Sequence, residues 1–185
     1  MKMSLSFSMV LFALMVLAGS CKKEIRNESA DENLVLNSGK AVSNGATEHS
    51  QMTQLLQAVR EATARFHSTN QAIRAGYVPD DHCVSVPGLG GMGYHWANPT
   101  LVDAVFDPLK PEVVLYATGP GGNLRLVAVE YIVVNTGQAA PTFAGQPFNV
   151  GGTPLPIPHW SLHVWLYETN PSGIFIPFNP NISCP

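Results

Sequence analysis

The sequence predicts an α+β fold, in which an N-terminal amphipathic helix precedes a mainly antiparallel β-sheet with long Gly/Pro-rich loops. Apolar residues recur at three- and four-residue spacing from Met52 to Phe66, which is typical of a helix face packed on a core. Three later runs, at 112–117, 124–134 and 159–168, are rich in branched and aromatic residues and lie between turn residues. Strands joined as hairpins after helices favour an antiparallel sheet.

Local signals place the smaller elements. Thr47 or Ser50 can cap the first helix, and a short second helix is expected over 71–75. The turn at 118–123 joins the first two strands as a β-hairpin, and a short strand is expected at 174–176.

Two stretches are expected to be loops. Residues 79–100 and 135–158 hold so many glycines and prolines that regular elements are disfavoured there. Long loops in a compact domain are more often functional than ordinary connections are.

The N-terminus has the pattern of an export signal. Lys2 precedes an apolar stretch at 5–18, which is too short to cross a bilayer as a helix. The stretch ends in small residues before Cys21, and this ending resembles the lipobox of bacterial lipoproteins. The resemblance implies cleavage after residue 20 and a diacylglyceryl anchor on Cys21, although Ala18 stands where Leu is commonest. The alternative is a plain secretory signal with an incidental cysteine.

The expected organisation therefore has three parts: a lipoprotein signal peptide at 1–20, a lipid-anchored flexible tether at 21–49, and one globular domain at 50–185. The tether lacks aromatic residues and has too few apolar residues to offset the entropy of ordering. The protein is expected to be exported and anchored to a membrane through Cys21, facing the periplasm or the cell exterior.

Charge argues against one class of partner. The chain has 10 Lys and Arg and 13 Asp and Glu. Removal of the signal peptide with Lys2 leaves 9 cationic and 13 anionic residues, a net charge of about −4. Because phosphate binding needs clustered cations and no basic stripe is present, nucleic acid is not an expected partner.

Three cysteines are present, and the lipid would use Cys21. In an oxidising compartment the other two, Cys83 and Cys184, are expected to form a disulfide. Closure of a loop of roughly 100 residues contributes up to about 4–5 kcal/mol on the chain-entropy account. The alternative is that both thiolates serve a metal.

Much of the chain from about residue 60 onward resembles a family of secreted bacterial proteins of unknown function. The resemblance implies a recurring exported module, and it brings no activity with it. The stretches that carry it are 75–77, 91–99, 107–116, 129–131, 145–148, 159–165 and 178–184.

Glu130 stands out because it interrupts an apolar strand. In simple alternation it shares a face with Leu124, Leu126, Ala128 and Ile132. If that face is the core, the carboxylate needs a cation, a metal or hydrogen-bond donors. The alternatives are an edge position that reaches solvent and a structural pair with an arginine such as Arg125.

Three histidines complete the candidate site, which is a transition-metal site, such as one for zinc. His95 lies in the Gly-rich stretch, and His159 and His163 share one face of the third strand. Four strand residues span about 13 Å, so His159 and His163 cannot both reach one ion unless the segment bends. A set of His95, Glu130 and His163 would give two imidazoles and one carboxylate with open positions. The alternative is that these histidines only pack in the core.

Three functions follow from these residues. The first is a tethered binding module for a metal ion or small ligand, and the second is a metal-dependent enzyme with Glu130 as ligand or base. The third is a structural or interaction protein of the cell envelope without a site.

Overall fold

The computed structural model describes residues 39–152 and 155–185, with side chains from residue 45 onward. The expected signal peptide, Cys21 and the first part of the expected tether lie outside these residues. In the part described, no helix combines the length and the apolar content that a membrane crossing requires.

The chain forms helices first and strands afterwards, as the α+β prediction requires, and this prediction is confirmed. The helices are α1 (Gly39–Thr63) and α2 (Thr69–Arg74), with a 3₁₀ turn at Ala64–His67 between them. The strands are β1 (Cys83–Val86), β2 (Gly90–Ala97), β3 (Val113–Thr118), β4 (Leu124–Val134), β5 (Thr142–Phe143), β6 (Gln146–Pro147), β7 (Asn149–Val150) and β8 (His159–Val164).

Six strands form one curled antiparallel sheet in the order β1-β2-β3-β4-β8-β7, and β5 pairs with β6 separately. The β3–β4 hairpin was predicted, and a 3₁₀ turn at Pro120–Gly122 connects its strands. The pairing shifts between Leu115 and Tyr116, where one extra β4 residue bulges. This bulge puts Leu126 on the face opposite Ala128 and Ile132. The prediction that Leu126 shares a face with Glu130 was therefore wrong.

Each face of the sheet has its own core. On the first, here called the helix face, buried strand residues pack with Val59, Phe66 and Ala72 of the helical segment. The second, here called the site face, contains Val113, Leu115, Ala128, Ile132, Trp165 and Ile182. Because both faces are covered, β4 is buried along most of its length.

The prediction of a loop over 79–100 was wrong, because β1 and β2 form a hairpin there. The glycines lie in β2 because other backbone approaches them closely. Gly93 has φ +94°, and a Cβ at this position would lie 2.3 Å from the Tyr116 carbonyl oxygen. Within 135–152 and 155–158, the strands are two residues long, which agrees with a mainly irregular segment.

Helix and strand ends also differ from prediction. Helix α1 starts at Gly39, so it includes residues 39–49, which were predicted to belong to the tether. Once packing has fixed part of a helix, each residue added to its end gains a hydrogen bond for a small loss of conformational entropy. Strand β8 ends at Val164, before the predicted end at 168. No strand forms at 174–176; Ile174 and Phe175 lie in a turn, and the carbonyls of Ile174 and Ile176 accept hydrogen bonds from Trp165.

Cys83 and Cys184 form the predicted disulfide, with an S–S distance of 2.04 Å and a Cα–Cα distance of 5.6 Å. The bond links β1 to the C-terminal segment. The alternative of two thiolate metal ligands therefore does not hold in this structure.

Candidate metal centre

Three of the four predicted metal-site residues lie together on the site face. His95 comes from β2, Glu130 from β4 and His163 from β8. Glu130 pairs directly with His163 on one side and with Val113 on the other. Val113 pairs with Ala97, and His95 is two residues before Ala97 and so points to the same face.

The curl of the sheet brings the two histidines together. Strands β2 and β8 are separated by β3 and β4, so in a flat sheet they would be about 14 Å apart, at roughly 4.8 Å per strand. The centroids of the His95 and His163 rings are 5.8 Å apart, a separation to which both the reach of the two side chains and the curl of the sheet contribute. The site therefore depends on the tertiary shape of the sheet as well as on strand pairing.

The ligand atoms of the cluster lie slightly farther apart than ligands that share one metal ion. His95 Nε2 lies 3.8 Å from Glu130 Oε2, and His163 Nδ1 lies 3.6 Å from Glu130 Oε1. One ligand atom from each residue lies within 4.8 Å of the other two. These separations exceed hydrogen-bond lengths. Ligands bound tetrahedrally to zinc at about 2.0–2.1 Å lie about 3.4 Å apart, so modest inward movement would close the set.

The polar atoms of the cluster lack other partners. His163 is 6 % exposed and Glu130 is 9 % exposed. Within the described residues, His95 Nδ1 and His163 Nε2 are two of three buried side-chain polar atoms without a hydrogen bond, and Trp160 Nε1 is the third. The Glu130 carboxylate accepts no hydrogen bond from any described residue at these distances. The two unpartnered histidine nitrogens are the ones farther from Glu130, so an ion held by His95 Nε2, His163 Nδ1 and the Glu130 carboxylate would complete the facing atoms and leave these two as they are.

Burial sets the protonation of all three groups. It lowers the pKa of His95 to about 4 and, together with the nearby His95, lowers the pKa of His163 to about 3. Burial and the charge of Glu112 raise the pKa of Glu130 to about 8. At neutral pH both imidazoles are neutral, which is the form that binds a metal. Glu130 is protonated there and would lose its proton when a cation enters.

Neither structural alternative for Glu130 holds. It lies on β4, in the middle of the sheet, so it is not at an edge. Arg125, the predicted arginine partner, forms its ion pair with Glu168 instead. No cationic side chain lowers the pKa of the Glu130 carboxyl.

His159 lies outside the cluster. It is 5 % exposed, and its Nδ1 donates a hydrogen bond of 2.8 Å to the Ile157 carbonyl oxygen. Its Nε2 is next to Gly151, where an added Cβ would lie 2.0 Å away. The structure thus gives His159 a packing environment and gives His163 the ligand environment, four residues further along the same strand.

Glu112 was missed by sequence reasoning. It is 2 % exposed, and its Oε2 accepts a hydrogen bond of 2.9 Å from the backbone N–H of Ile132. Burial raises its pKa to about 7. The available signal was a carboxylate next to an apolar strand, the same signal that singled out Glu130. Its charge disfavours ionisation of Glu130, so the two carboxylates are electrostatically linked.

Two surface cavities, of about 390 and 620 Å³, lie elsewhere. Arg60, Tyr167 and Asn170 help to line the first, and Asp80, Tyr94 and Trp96 help to line the second. None of the three clustered residues borders either cavity.

Comparison of the chain with protein-family models, with curated protein sequences and with solved structures finds no match.

Proposed function

We propose that this protein is an exported, lipid-anchored envelope protein whose domain binds one divalent transition-metal ion, best fitted by zinc, through His95, Glu130 and His163. The observation that carries the proposal is that ligand atoms of three buried or half-buried side chains converge within 4.8 Å and make no hydrogen bonds to one another. A cation placed among them would satisfy all three at once.

The ligand types favour zinc or iron(II) over magnesium or calcium. Imidazole nitrogen suits zinc, copper, iron and nickel, whereas magnesium and calcium prefer oxygen ligands. Zinc imposes no geometry of its own and accepts two histidines with one carboxylate. Three protein ligands leave the fourth coordination position of zinc free. The His95 side chain is 21 % exposed, more than Glu130 or His163, so solvent is closest to the cluster at His95.

A metal-dependent enzyme is the second candidate, because an open position is what a catalytic zinc site keeps for water or substrate. In that role Glu130 would act as ligand or as base. Binding ranks first, because the three convergent ligands suffice for it, whereas catalysis would also need a space for substrate beside the ion.

The envelope location rests on separate observations. The small residues before Cys21 support lipidation at that position, and the Cys83–Cys184 disulfide is consistent with an oxidising compartment. Replacing Cys21 with Ser should abolish incorporation of a labelled fatty acid and release the protein from the membrane fraction. Unchanged labelling would contradict lipidation at Cys21.

The metal proposal is tested by metal content. The full-length protein, exported and purified in mild detergent without a histidine tag, is incubated with zinc, iron(II), copper or manganese, dialysed and measured by mass spectrometry. We expect one equivalent of zinc in the wild type and in His159→Ala, and far less in His163→Ala. If none of the four metals is retained, the envelope protein without a metal site becomes the better description.

A further inference from the structure

The C-terminal segment, residues 174–185 and here called the C-terminal strap, connects β8 and β2, the two strands that carry the histidines. At β8, the backbone N–H of Trp165 donates to the Ile174 carbonyl at 2.9 Å, and its indole Nε1 donates to the Ile176 carbonyl at 2.7 Å. Trp165 is two residues after His163. The strap is therefore fixed beside one ligand strand.

The other end of the strap is fixed to β2. Asn179 and Gly91 exchange two backbone hydrogen bonds, of 2.9 and 3.1 Å, in an antiparallel bridge. Gly91 is four residues before His95 on the same strand. Beyond this bridge, the Cys83–Cys184 disulfide ties the strap to β1, the neighbour of β2.

The strap also fills the site face between these attachments. Ile182 is 3 % exposed and packs in the core of the site face with Leu115 and Trp165. It lies so close to β2 that a Cβ on Gly91 would be 2.8 Å from Ile182 Cγ2. Contacts of this kind hold β2 toward β8 across the two strands that separate them.

We infer that the C-terminal strap is the positioning element of the metal site, and that the Cys83–Cys184 disulfide sets the affinity of the site for its metal. The inference rests on the proposed metal function. Its basis is that the strap is bonded to both strands that carry the histidines, next to β8 through Trp165 and on β2 through the Asn179–Gly91 bridge, with Ile182 packed on the site face between them. A sheet released from the strap can flatten, which would move His95 away from Glu130 and His163.

The first test compares zinc affinity in the full-length wild type and in a Cys83→Ser/Cys184→Ser double variant, by competition with a chelating dye. Both cysteines are replaced because a single free thiol would itself bind zinc. The protein is kept free of reductants for the same reason. We expect zinc affinity to fall on the order of tenfold or more, as for loss of supports that orient metal ligands.

A second variant, Gly91→Ala, keeps the disulfide and all three ligands and only displaces Ile182. We expect Gly91→Ala to weaken zinc binding as well. If the double cysteine variant fails to fold, Gly91→Ala still tests whether the strap positions the site. The matched control is Val59→Ala, a buried change in α1 on the helix face that leaves the strap untouched. This control should bind zinc as the wild type does.

The outcomes separate the two claims. A wild type that binds no zinc overturns the proposed function and this inference with it. A wild type that binds zinc, together with strap variants that bind it equally well, overturns this inference alone. An equal loss of affinity in Val59→Ala also overturns it, because general destabilisation would then explain the loss.

Discussion

The two faces of the sheet treat buried polar groups differently. On the helix face, three buried tyrosines project into an apolar core, and each hydroxyl donates to a backbone carbonyl. The pairs are Tyr77 with Pro111 at 2.6 Å, Tyr116 with Phe66 at 2.6 Å and Tyr131 with Pro108 at 2.7 Å. Burial raises the pKa of all three hydroxyls, which remain neutral donors.

On the site face, the three clustered groups stop short of one another. His163 Nδ1 and Glu130 Oε1 are 3.6 Å apart, and the outer nitrogens of both histidines are unpartnered. The helix face is not free of such gaps, because Trp160, which packs on that face, also has an indole Nε1 without a hydrogen bond. The site face differs in that its gaps lie in two neighbouring histidines beside a buried carboxylate. On the proposed function, a bound cation would complete the atoms of His95, Glu130 and His163 that face one another, whereas the outer nitrogens would stay unpartnered.

The same contrast occurs within β8. His159 and His163 are both nearly buried, yet only His159 has a ring hydrogen bond. One residue type on one strand therefore has two environments, and this pair gives the experiments their internal control.

The largest expected effect is on metal affinity. His163→Ala removes a ligand, so we expect zinc affinity to fall by more than about 100-fold, beyond what loss of a supporting residue costs. His159→Ala should change it by only a few-fold. Calorimetric titration of both variants measures the difference. Equal losses of zinc affinity in the two variants would mean that the different environments of His159 and His163 do not decide which of them binds the metal.

The next effect is on stability. Zinc at 100 times its dissociation constant should raise the free energy of unfolding by about 2.7 kcal/mol, because only the folded state assembles the site. Denaturant unfolding with and without zinc measures this gain. Glu130→Gln should lose most of it, and an unchanged gain in that variant would remove Glu130 from the site.

A smaller effect concerns pH. The pKa of Glu130 is raised from its ordinary value of 4.5 to about 8, so the metal-free folded state binds more protons than the unfolded state between these values. Stability should therefore fall as pH rises toward 8, by up to about 1.4 kcal/mol per pH unit. Below about pH 6.5 the lowered pKa values of His95 and His163 act in the opposite sense, so the fall shows mainly above that pH.

Denaturant titrations of the metal-free protein at pH 6.5, 7.2 and 8.0 measure this slope. Glu130→Gln should flatten it, leaving only the part due to Glu112, whose pKa is raised to about 7. Zinc affinity should rise over the same range, because binding displaces the Glu130 proton. Affinity that is independent of pH would contradict a protonated Glu130.

The smallest effect lies on the helix face. Tyr116→Phe leaves the Phe66 carbonyl without its donor in a buried position, which should cost about 1–2 kcal/mol of stability. Zinc affinity should not change, because Tyr116 packs on the face opposite the cluster. A weaker zinc affinity in Tyr116→Phe would show that the two faces are not independent.

Sequence reasoning reached the parts of the fold that depend on local pattern. Strand β4 has the predicted bounds, 124–134, because branched and aromatic residues run without a break between two turns. The Cys83–Cys184 bond was predicted from the expected oxidising compartment and from the fact that two cysteines remain when Cys21 carries the lipid. The unusual carboxylate in β4 pointed to Glu130 for the same local reason.

The remainder depends on contacts between distant residues. Gly91 and Gly93 made β2 look like a loop, because their function is to admit Ile182 and the Tyr116 backbone, which lie far away in sequence. The convergence of His95 with His163 requires the curl of the sheet, and no spacing in the sequence encodes that curl. The role of the C-terminal strap beyond its cysteine was invisible for the same reason.

The central claim is that a metal ion completes the site face among His95, Glu130 and His163. X-ray absorption at the zinc edge, on the wild-type protein loaded with one equivalent of zinc, tests it most directly. We predict two imidazole nitrogens and at least one carboxylate oxygen, at about 2.0–2.2 Å, with one imidazole lost in His163→Ala and none lost in His159→Ala. A zinc ion surrounded only by water oxygens, or a spectrum that His163→Ala leaves unchanged, would contradict the claim.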